Sequence, residues 1–326
     1  LEGSVRKVGS RIRITAQLID ATSGHHVWSE RYDRQIEDIL EFQDEMSGRI
    51  VSAINVELID IEAKRPRQKQ SGRLDVWELY HRGVRQYDRS TRDSNNEARR
   101  LFEAAISADP NHAMAHAGLA CTYISDIGVG LTDDPAGTVA HGLRHAQRAV
   151  ELDANDSLAL AVLGRLQVWA GDTEIGVATL EKAIALNPNL AYGFRLLGEV
   201  YAFSGRPEDA LRALDIGIRL SPRDPGLWVI LLAKCNAYTR LGEHARSIES
   251  ARRAIQERPD QFWTYIVLAI VLAFAERLDE ARVQVEAGRR LRPDLSSSTV
   301  RKMMNNMKVD TAERIVEKLR LVGLPD

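Results

Sequence analysis

The chain has 326 residues, and its 44 basic and 46 acidic side chains leave a formal net charge of −2, a balance that argues against nucleic acid as a partner, which would require a basic stripe. Its longest apolar run, Tyr265 to Ala275, falls short of the ~20 residues a membrane span needs. Cys121 and Cys235 are its two cysteines. They fall in different stretches of sequence and read as small buried free thiols, which fits a reducing, cytoplasmic setting.

From the start, Ile12, Ile14, Ala16 and Leu18 alternate with Arg11, Arg13, Thr15 and Gln17, the period-two pattern of a half-buried strand. Gly9-Ser10 precedes it, Val5 and Lys7 extend the pattern on the other side, and the turn from Asp20 to Gly24 leads to a strand from His25 to about Tyr32 that contains Trp28. The expectation is a three-strand meander. From Ile36 the spacing becomes helical, with Ile39, Leu40, Met46, Ile50, Ile54, Leu58 and Ile61 on one stripe. One helix of about seven turns, laid on the sheet, fits that stripe. Residues 1–62 thus read as a small partial α/β segment with open sheet edges. The edge near Leu1 to Lys7 is open to pairing, either with a second copy across a two-fold axis or with an upstream segment.

Residues 63–74 carry Lys64, Arg65, Arg67, Lys69 and Arg73 without a core-forming pattern. They read as a solvated linker, the alternative being contact with phosphate or an anionic surface.

Residues 75–294 contain an internal period, clearest from Ser157 to Pro222. Laid in rows of thirty-four, Leu163 and Gly164 fall above Leu197 and Gly198, Gly171 above Gly205, Leu180 above Leu214, and Pro188 above Pro222. Such a period means helical hairpins that bury their apolar faces only by stacking on one another. Gly164 and Gly198 leave room where helix backbones approach, with Ala183 and Gly217 expected to do the same on the second helix. Gly171 and Gly205 suit a left-handed turn, and Pro207, followed by Glu208 and Asp209, suits a helix start. Weaker rows flank these two. Trp77, Tyr80, Gly83 and Tyr87 are followed by Ala98, Phe102, Ala105 and Pro110, with three extra residues in the turn around Ser90. Leu119, Ala120 and Tyr123 are followed by Ala146 and Ala149, with an insertion from Asp126 to Gly137 and Ala154 where proline is expected. Later units show Trp228, Tyr238, Gly242, Ala254 and Pro259, then Leu268, Ala269, Ala281, Gly288 and Pro293. About six units result.

In residues 295–326, Val300, Met303, Met304 and Met307 mark a short helix, and Asp310 with Glu313 reads as the capping box of another that ends at Gly323 before Pro325. These helices would close the exposed end of the array.

Row two, with Leu197, Gly198, Tyr201, Gly205, Ala210, Leu214 and Pro222, resembles the tetratricopeptide repeat, with Gly217 in place of its usual second alanine. Row one departs from that pattern at Gln167 and Gly176. The resemblance implies a mainly α fold, a right-handed α-solenoid of helical hairpins whose first helices line a concave groove for a protein or peptide. The family register sends Arg165, Trp169, Tyr192, Arg195, Glu199 and Phe203 toward that groove, with Trp228, Trp263 and Phe274 following. Aromatics beside arginine suit a binding hot spot, although several could simply pack against the adjacent first helix. Where the family's carboxylate clamp wants Lys and Asn, this chain has Ala161, Arg165, Arg195 and Glu199. An extended peptide or a partner helix with apolar anchors is the expected occupant rather than a free C-terminal carboxylate.

The opening LEGSVRKVGSRIRITAQLIDATSGHHVWSERYD resembles the second half of a TolB-like α/β module. That module stands ahead of tetratricopeptide arrays in bacterial signalling proteins, many of them class III adenylate or guanylate cyclases and others winged-helix transcription regulators. The closing GLP plus an acid resembles the tail of the cyclase-associated proteins. The resemblance implies the C-terminal portion of a longer protein.

His112 with His116, and His141 with His145, stand at helical i, i+4 spacing, with Asp133 and Asp134 nearby. Such pairs could ligate a metal, yet ordinary helix residues account for them. HExxH, CxxC and Walker patterns are absent, and Gly128-Val129-Gly130 lacks the strand-then-helix context of a dinucleotide loop. The expectation is therefore no catalytic residue, no metal and no cofactor. The chain reads as a non-catalytic interaction scaffold, the regulatory C-terminal region of a bacterial adenylate/guanylate cyclase-type signalling protein. The alternatives are the sensor region of a winged-helix transcription regulator, or a metal- or small-molecule-binding protein using the 126–145 insertion.

Overall fold

The computed structural model describes residues 2–8, 11–19, 26–35, 76–128, 132, 134–304 and 309–326. The long helix expected over 36–61, the basic linker and Met307 lie outside them.

Strands β1 (Glu2–Val8), β2 (Arg11–Ile19) and β3 (His26–Gln35) form an antiparallel sheet in the order β1-β2-β3. Their register sets Val5 opposite Ile14 and Ile14 opposite Tyr32. Ile12, Ala16, Trp28 and Tyr32 are buried. The meander is the expected one, and β3 runs three residues beyond the anticipated end because Asp33, Arg34 and Gln35 continue the ladder on Arg13, Ile12 and Arg11.

Fourteen helices follow among the described residues. Six hairpins pair α1 (Val76–Asp88) with α2 (Arg92–Ala108), α3 (Ala113–Gly128) with α4 (Pro135–Leu152), and α5 (Ser157–Trp169) with α6 (Thr173–Leu186). The series continues with α7 (Ala191–Ser204) and α8 (Pro207–Leu220), α9 (Leu227–Arg240) and α10 (His244–Glu257), and α11 (Phe262–Phe274) and α12 (Leu278–Leu291). Each first helix packs on its own second helix and on the first helix of the next hairpin, so α1, α3, α5, α7, α9 and α11 make a continuous inner layer. The second helices form the outer one. Finally α13 (Ser297–Met303) and α14 (Val309–Leu321) lie against each other, and α14 rests on α11. They bury Leu295, Val300, Ile315 and Leu319 in one cluster with Ile266 and Leu272, covering the apolar face that the last hairpin would otherwise expose.

The repeat residues sit where close packing demands them. A Cβ on Gly198 would lie 2.6 Å from Leu214 Cγ, and one on Gly164 would lie 2.7 Å from the Gly176 carbonyl oxygen. Gly176, a departure from the family pattern, is thus the partner that lets α6 approach α5. Gly217 behaves otherwise: its nearest neighbour would be 3.5 Å away, ordinary contact, so the crowding expected there is absent. The turns inside five of the six hairpins each place one residue in the left-handed region: Ser90, Gly171, Gly205, Gly242 and Glu276 have φ of 53°, 103°, 84°, 75° and 57°. Glycine carries no Cβ penalty at that position.

Caps account for several helix starts. Asp156 accepts from the Leu158 and Ala159 amides at 2.8 and 3.2 Å. Asp134 caps α4, with Pro135 in the first turn. Among the described residues a capping box is formed by Thr91 and Ser94 at the start of α2. Asp310 is not a cap: it lies within the first turn of α14, where its charge faces the positive end of the helix, and Glu313 instead pairs with Arg301 at 2.8 Å.

Candidate functional site

The inner helices enclose a space of about 1490 Å³. It is rounder than an open trough, because the array turns far enough for its first hairpin to meet its fifth and sixth. Arg258 Nη2 and Gln261 Nε2 donate to the Ser90 carbonyl oxygen at 3.2 and 3.3 Å. The turn lengthened by three residues is the one that makes this contact, and Asp88 and Thr91 also face the lumen.

Hairpin register decides what the lumen presents. Two residues before each left-handed turn residue stand Asp88, Trp169, Phe203, Arg240 and Phe274, all on the lumen wall. Six residues before it stand Arg165, Glu199, Asn236 and Ile270, also on the wall. These positions are one helical turn apart and so share a face. Phe203 is 51% exposed, whereas Trp169 and Phe274 are half-buried.

Deeper in the wall lies a charged cluster. Arg165 Nη2 meets Glu199 Oε2 at 3.2 Å, and Arg195 Nη1 meets Asp224 Oδ1 at 3.3 Å. The guanidinium of Arg165 stacks over Trp169 with its carbon 4.2 Å from the ring centre, and that of Arg195 stands 4.5 Å over Tyr192. Burial pulls Arg165 below its ordinary pKa, with Glu199 opposing. For Arg195 burial also works against the charge, but Asp224, Tyr192 and Glu199 together raise it above the usual value. Enclosure and then the Asp224 carboxylate push Asp88 up to about 6, against the pull of Arg195. Tyr192 also reaches Cys121 Sγ at 3.8 Å. Burial raises the Cys121 thiol to about 12 and the Cys235 thiol to about 11, so both are free, buried and protonated at neutral pH.

All nine residues that the sequence places toward the groove line this lumen. They divide by accessibility. Arg165, Glu199 and Trp228 are 6%, 8% and 4% exposed and belong to the wall's interior. Tyr192, Arg195, Trp169, Trp263 and Phe274 are half-buried, and Phe203 is open. The sequence reading missed Arg92, Arg240 and Arg314, exposed arginines on the same lumen. Arg240 was findable, since it occupies the register position of Trp169 and Phe203.

The histidines do not converge as pairs along their helices. His112 Nδ1 accepts from the Ala115 amide at 3.1 Å, and His141 Nδ1 accepts from Arg144 at 2.5 Å. His116 crosses to His145, Nδ1 to Nδ1, at 3.1 Å, while its Nε2 donates to the Pro110 carbonyl at 3.1 Å. A carbonyl only accepts, so His116 carries its proton on Nε2 and His145 donates from Nδ1. Among the described residues no group of three or more His, Cys, Asp or Glu is placed to hold a metal; Asp133 lies outside them.

No family model matches the chain. Over 170 residues, 50% of its length, the chain is 39% identical to a protein of Rhizobium meliloti (strain 1021) named "Putative adenylate cyclase 3", and it spans 28% of that protein. Among solved structures, a monomeric variant of IFIT1 with Gppp-AAAA superposes with a TM-score of 0.61 at 15% identity, over 82% of this chain and 63% of that one. Cut9–Hcn1, from the APC/C hetero-tetramer, superposes with a TM-score of 0.57 at 14% identity, over 82% of this chain and 54% of that one. The chain has the tetratricopeptide-repeat fold. Within that fold the tetratricopeptide motif residues Gly198, Leu214 and Gly205 do the packing and turning described above, and the first helices carry the inner surface. Among the described residues no helix is long and apolar enough to cross a membrane.

Proposed function

We propose that the chain is a non-catalytic protein-interaction module whose lumen holds an extended segment or a helix of a partner protein. The observation that carries this reading is the register stripe Trp169, Phe203 and Phe274, large aromatic side chains at one level of α5, α7 and α11, with Trp263 facing the same lumen from the start of α11. Aromatic anchors spaced by a repeat suit a chain laid along the stack, and such anchors supply most of the free energy at interfaces. In the intact protein the module would serve as the regulatory region of a cytoplasmic nucleotide-cyclase-type signalling protein, a reading supported by the 39% identity to the putative adenylate cyclase.

Selection from a random peptide library tests the binding surface. Selected peptides are expected to lose at least about tenfold in affinity for Trp263→Ala and Phe203→Ala and nothing for Ile175→Ala, an exposed position on the outer helix α6. Binding indifferent to both lumen variants overturns the reading. Supplying the chain with ATP or GTP and manganese is expected to yield no cyclic nucleotide, and turnover contradicts the non-catalytic role.

The strand edge adds a narrower proposal. Among the described residues β1 pairs with β2 alone and leaves Val5 64% exposed, so the edge takes a further strand, from a second copy or from an upstream segment. Light scattering that shows a monomer at high concentration removes the second copy.

A further inference from the structure

We infer that the occupant of the lumen is an acidic peptide segment, with aspartate and glutamate side chains flanking its apolar anchors; this rests on the interaction reading above and adds the chemistry of the partner. The argument starts from pairing. Glu199, Asp224, Asp260 and Asp294, carboxylates on the lumen wall, each meet a guanidinium, from Arg165, Arg195, Arg258 and Arg292. Asp88 alone on the wall lacks such a contact among the described residues, and its pKa is pushed up toward neutrality. Three lumen arginines have no carboxylate among the described residues. Arg240 donates only to Asn236 Oδ1 and the Phe203 carbonyl, at 3.0 and 3.2 Å. Arg314 lies 5.9 Å over the Phe274 ring, and Arg92 stands on the turn that closes the lumen. All three are exposed. Unpaired positive charge therefore stands on this inner surface, where all but one of the carboxylates are already matched.

A second observation has the same sign. Among the described residues, Arg165 Nε, Arg195 Nε, Trp228 Nε1 and Arg292 Nη1 are buried nitrogens without an acceptor, and all four belong to lumen-wall side chains. Arg165 and Trp228 are more than nine-tenths buried. The wall thus holds unmet donors, and each such group is costly when left without a partner. A ligand rich in acceptors satisfies them after small side-chain rotations. Arg240 stands next to Phe203 in register and Arg314 against Phe274, so these two free guanidinium groups lie beside aromatic anchors. A peptide that alternates acidic and bulky apolar residues matches both.

Fluorescence anisotropy with short labelled peptides tests this on the full chain: one of Asp, Glu, Leu and Phe, one with Asn and Gln replacing the acids, one with Lys replacing them, and oligoadenylate as a different polyanion. The acidic peptide is expected to bind at least about tenfold tighter than the neutral one, and to weaken as salt is raised. Arg240→Gln and Arg314→Glu are each expected to lose about tenfold for the acidic peptide, while Arg240→Lys retains most of the affinity. Far-UV circular dichroism of each variant separates loss of binding from loss of fold, and Arg314→Glu, on the exposed face of α14, guards against a variant that fails to fold at Arg240. Equal binding of the neutral peptide, tighter binding of the basic peptide or of oligoadenylate, no binding of the acidic peptide, or indifference to the arginine variants overturns the inference. Library peptides that map to the lumen yet prove neutral or basic overturn the acidic partner and leave the interaction reading standing. Peptides that map elsewhere remove both.

Discussion

Arg165 and Glu199 occupy the same register position in successive inner helices, thirty-four residues apart, and they meet at 3.2 Å with 6% and 8% exposure. The repeat that stacks the hairpins also brings these two charges together inside the wall. Removing Glu199 leaves Arg165 buried without a carboxylate, which costs about 3–5 kcal/mol, whereas Glu199 keeps Arg195 Nε at 3.8 Å when Arg165 is removed. Glu199→Ala is expected to lose that much in urea denaturation and Arg165→Ala less, whereas the double variant Arg165→Met/Glu199→Leu recovers most of the Glu199→Ala loss. A double variant that loses as much as Glu199→Ala would contradict the pairing.

Crowding at the hairpin contact differs between two glycines that the repeat pattern treats alike. At Gly198 an added methyl group meets Leu214 at 2.6 Å, and at Gly217 its nearest neighbour stands 3.5 Å away. Gly198→Ala is expected to destabilise by about 1–3 kcal/mol through overpacking. Gly217→Ala is expected to stabilise by about 0.5–1 kcal/mol through helix propensity. Thermal unfolding of the two variants distinguishes them by sign.

Glu276 holds φ of 57° where Gly171, Gly205 and Gly242 stand in neighbouring hairpins. A side chain in that conformation costs roughly 1–2 kcal/mol. Its carboxylate receives Lys318 Nζ at 2.6 Å, but Glu276 is 70% exposed, and such pairs contribute about 0–1 kcal/mol. The conformational term is the larger, so Glu276→Gly is expected to raise Tm. A fall in Tm would show that the bridge to α14 outweighs the backbone strain.

Burial, then the neighbouring His116, Arg144 and His141, lower the His145 pKa to about 4 from 6.5. Between those values the unfolded chain binds the proton and the folded chain does not. Stability from this group is therefore complete above the unfolded value and lost as pH falls toward the folded one. His145→Gln is expected to flatten the stability profile over that window relative to the unsubstituted chain. An unchanged slope would place the acid sensitivity elsewhere.

The stacking was legible because each hairpin touches mainly its neighbours, so thirty-four-residue spacing records the contacts that matter. Gly198 beneath Leu214, and the turn at Gly205, follow directly from it. The lumen's closure was not. It depends on rotation accumulated over the whole array, and the contact between Ser90 and Arg258 spans 168 positions. No local pattern encodes such a sum, least of all where the first two hairpins carry insertions. The groove residues were found by register, but register alone does not tell an accessible Phe203 from a buried Trp228. Searching for aromatics passed over Arg240, the same position filled by a cation. His116 and His145 were paired with the wrong neighbours because i, i+4 spacing describes one helix, and their contact bridges α3 and α4.

Hydrogen–deuterium exchange of the full chain, with and without a library-selected peptide, tests most directly whether the inner surface is where a partner lies. Slowed exchange is predicted in α5, α7, α9 and α11, strongest around Phe203, Arg240 and Trp263, with α6, α8 and α10 unchanged. Slowing confined to α6, α8 and α10 would contradict the account.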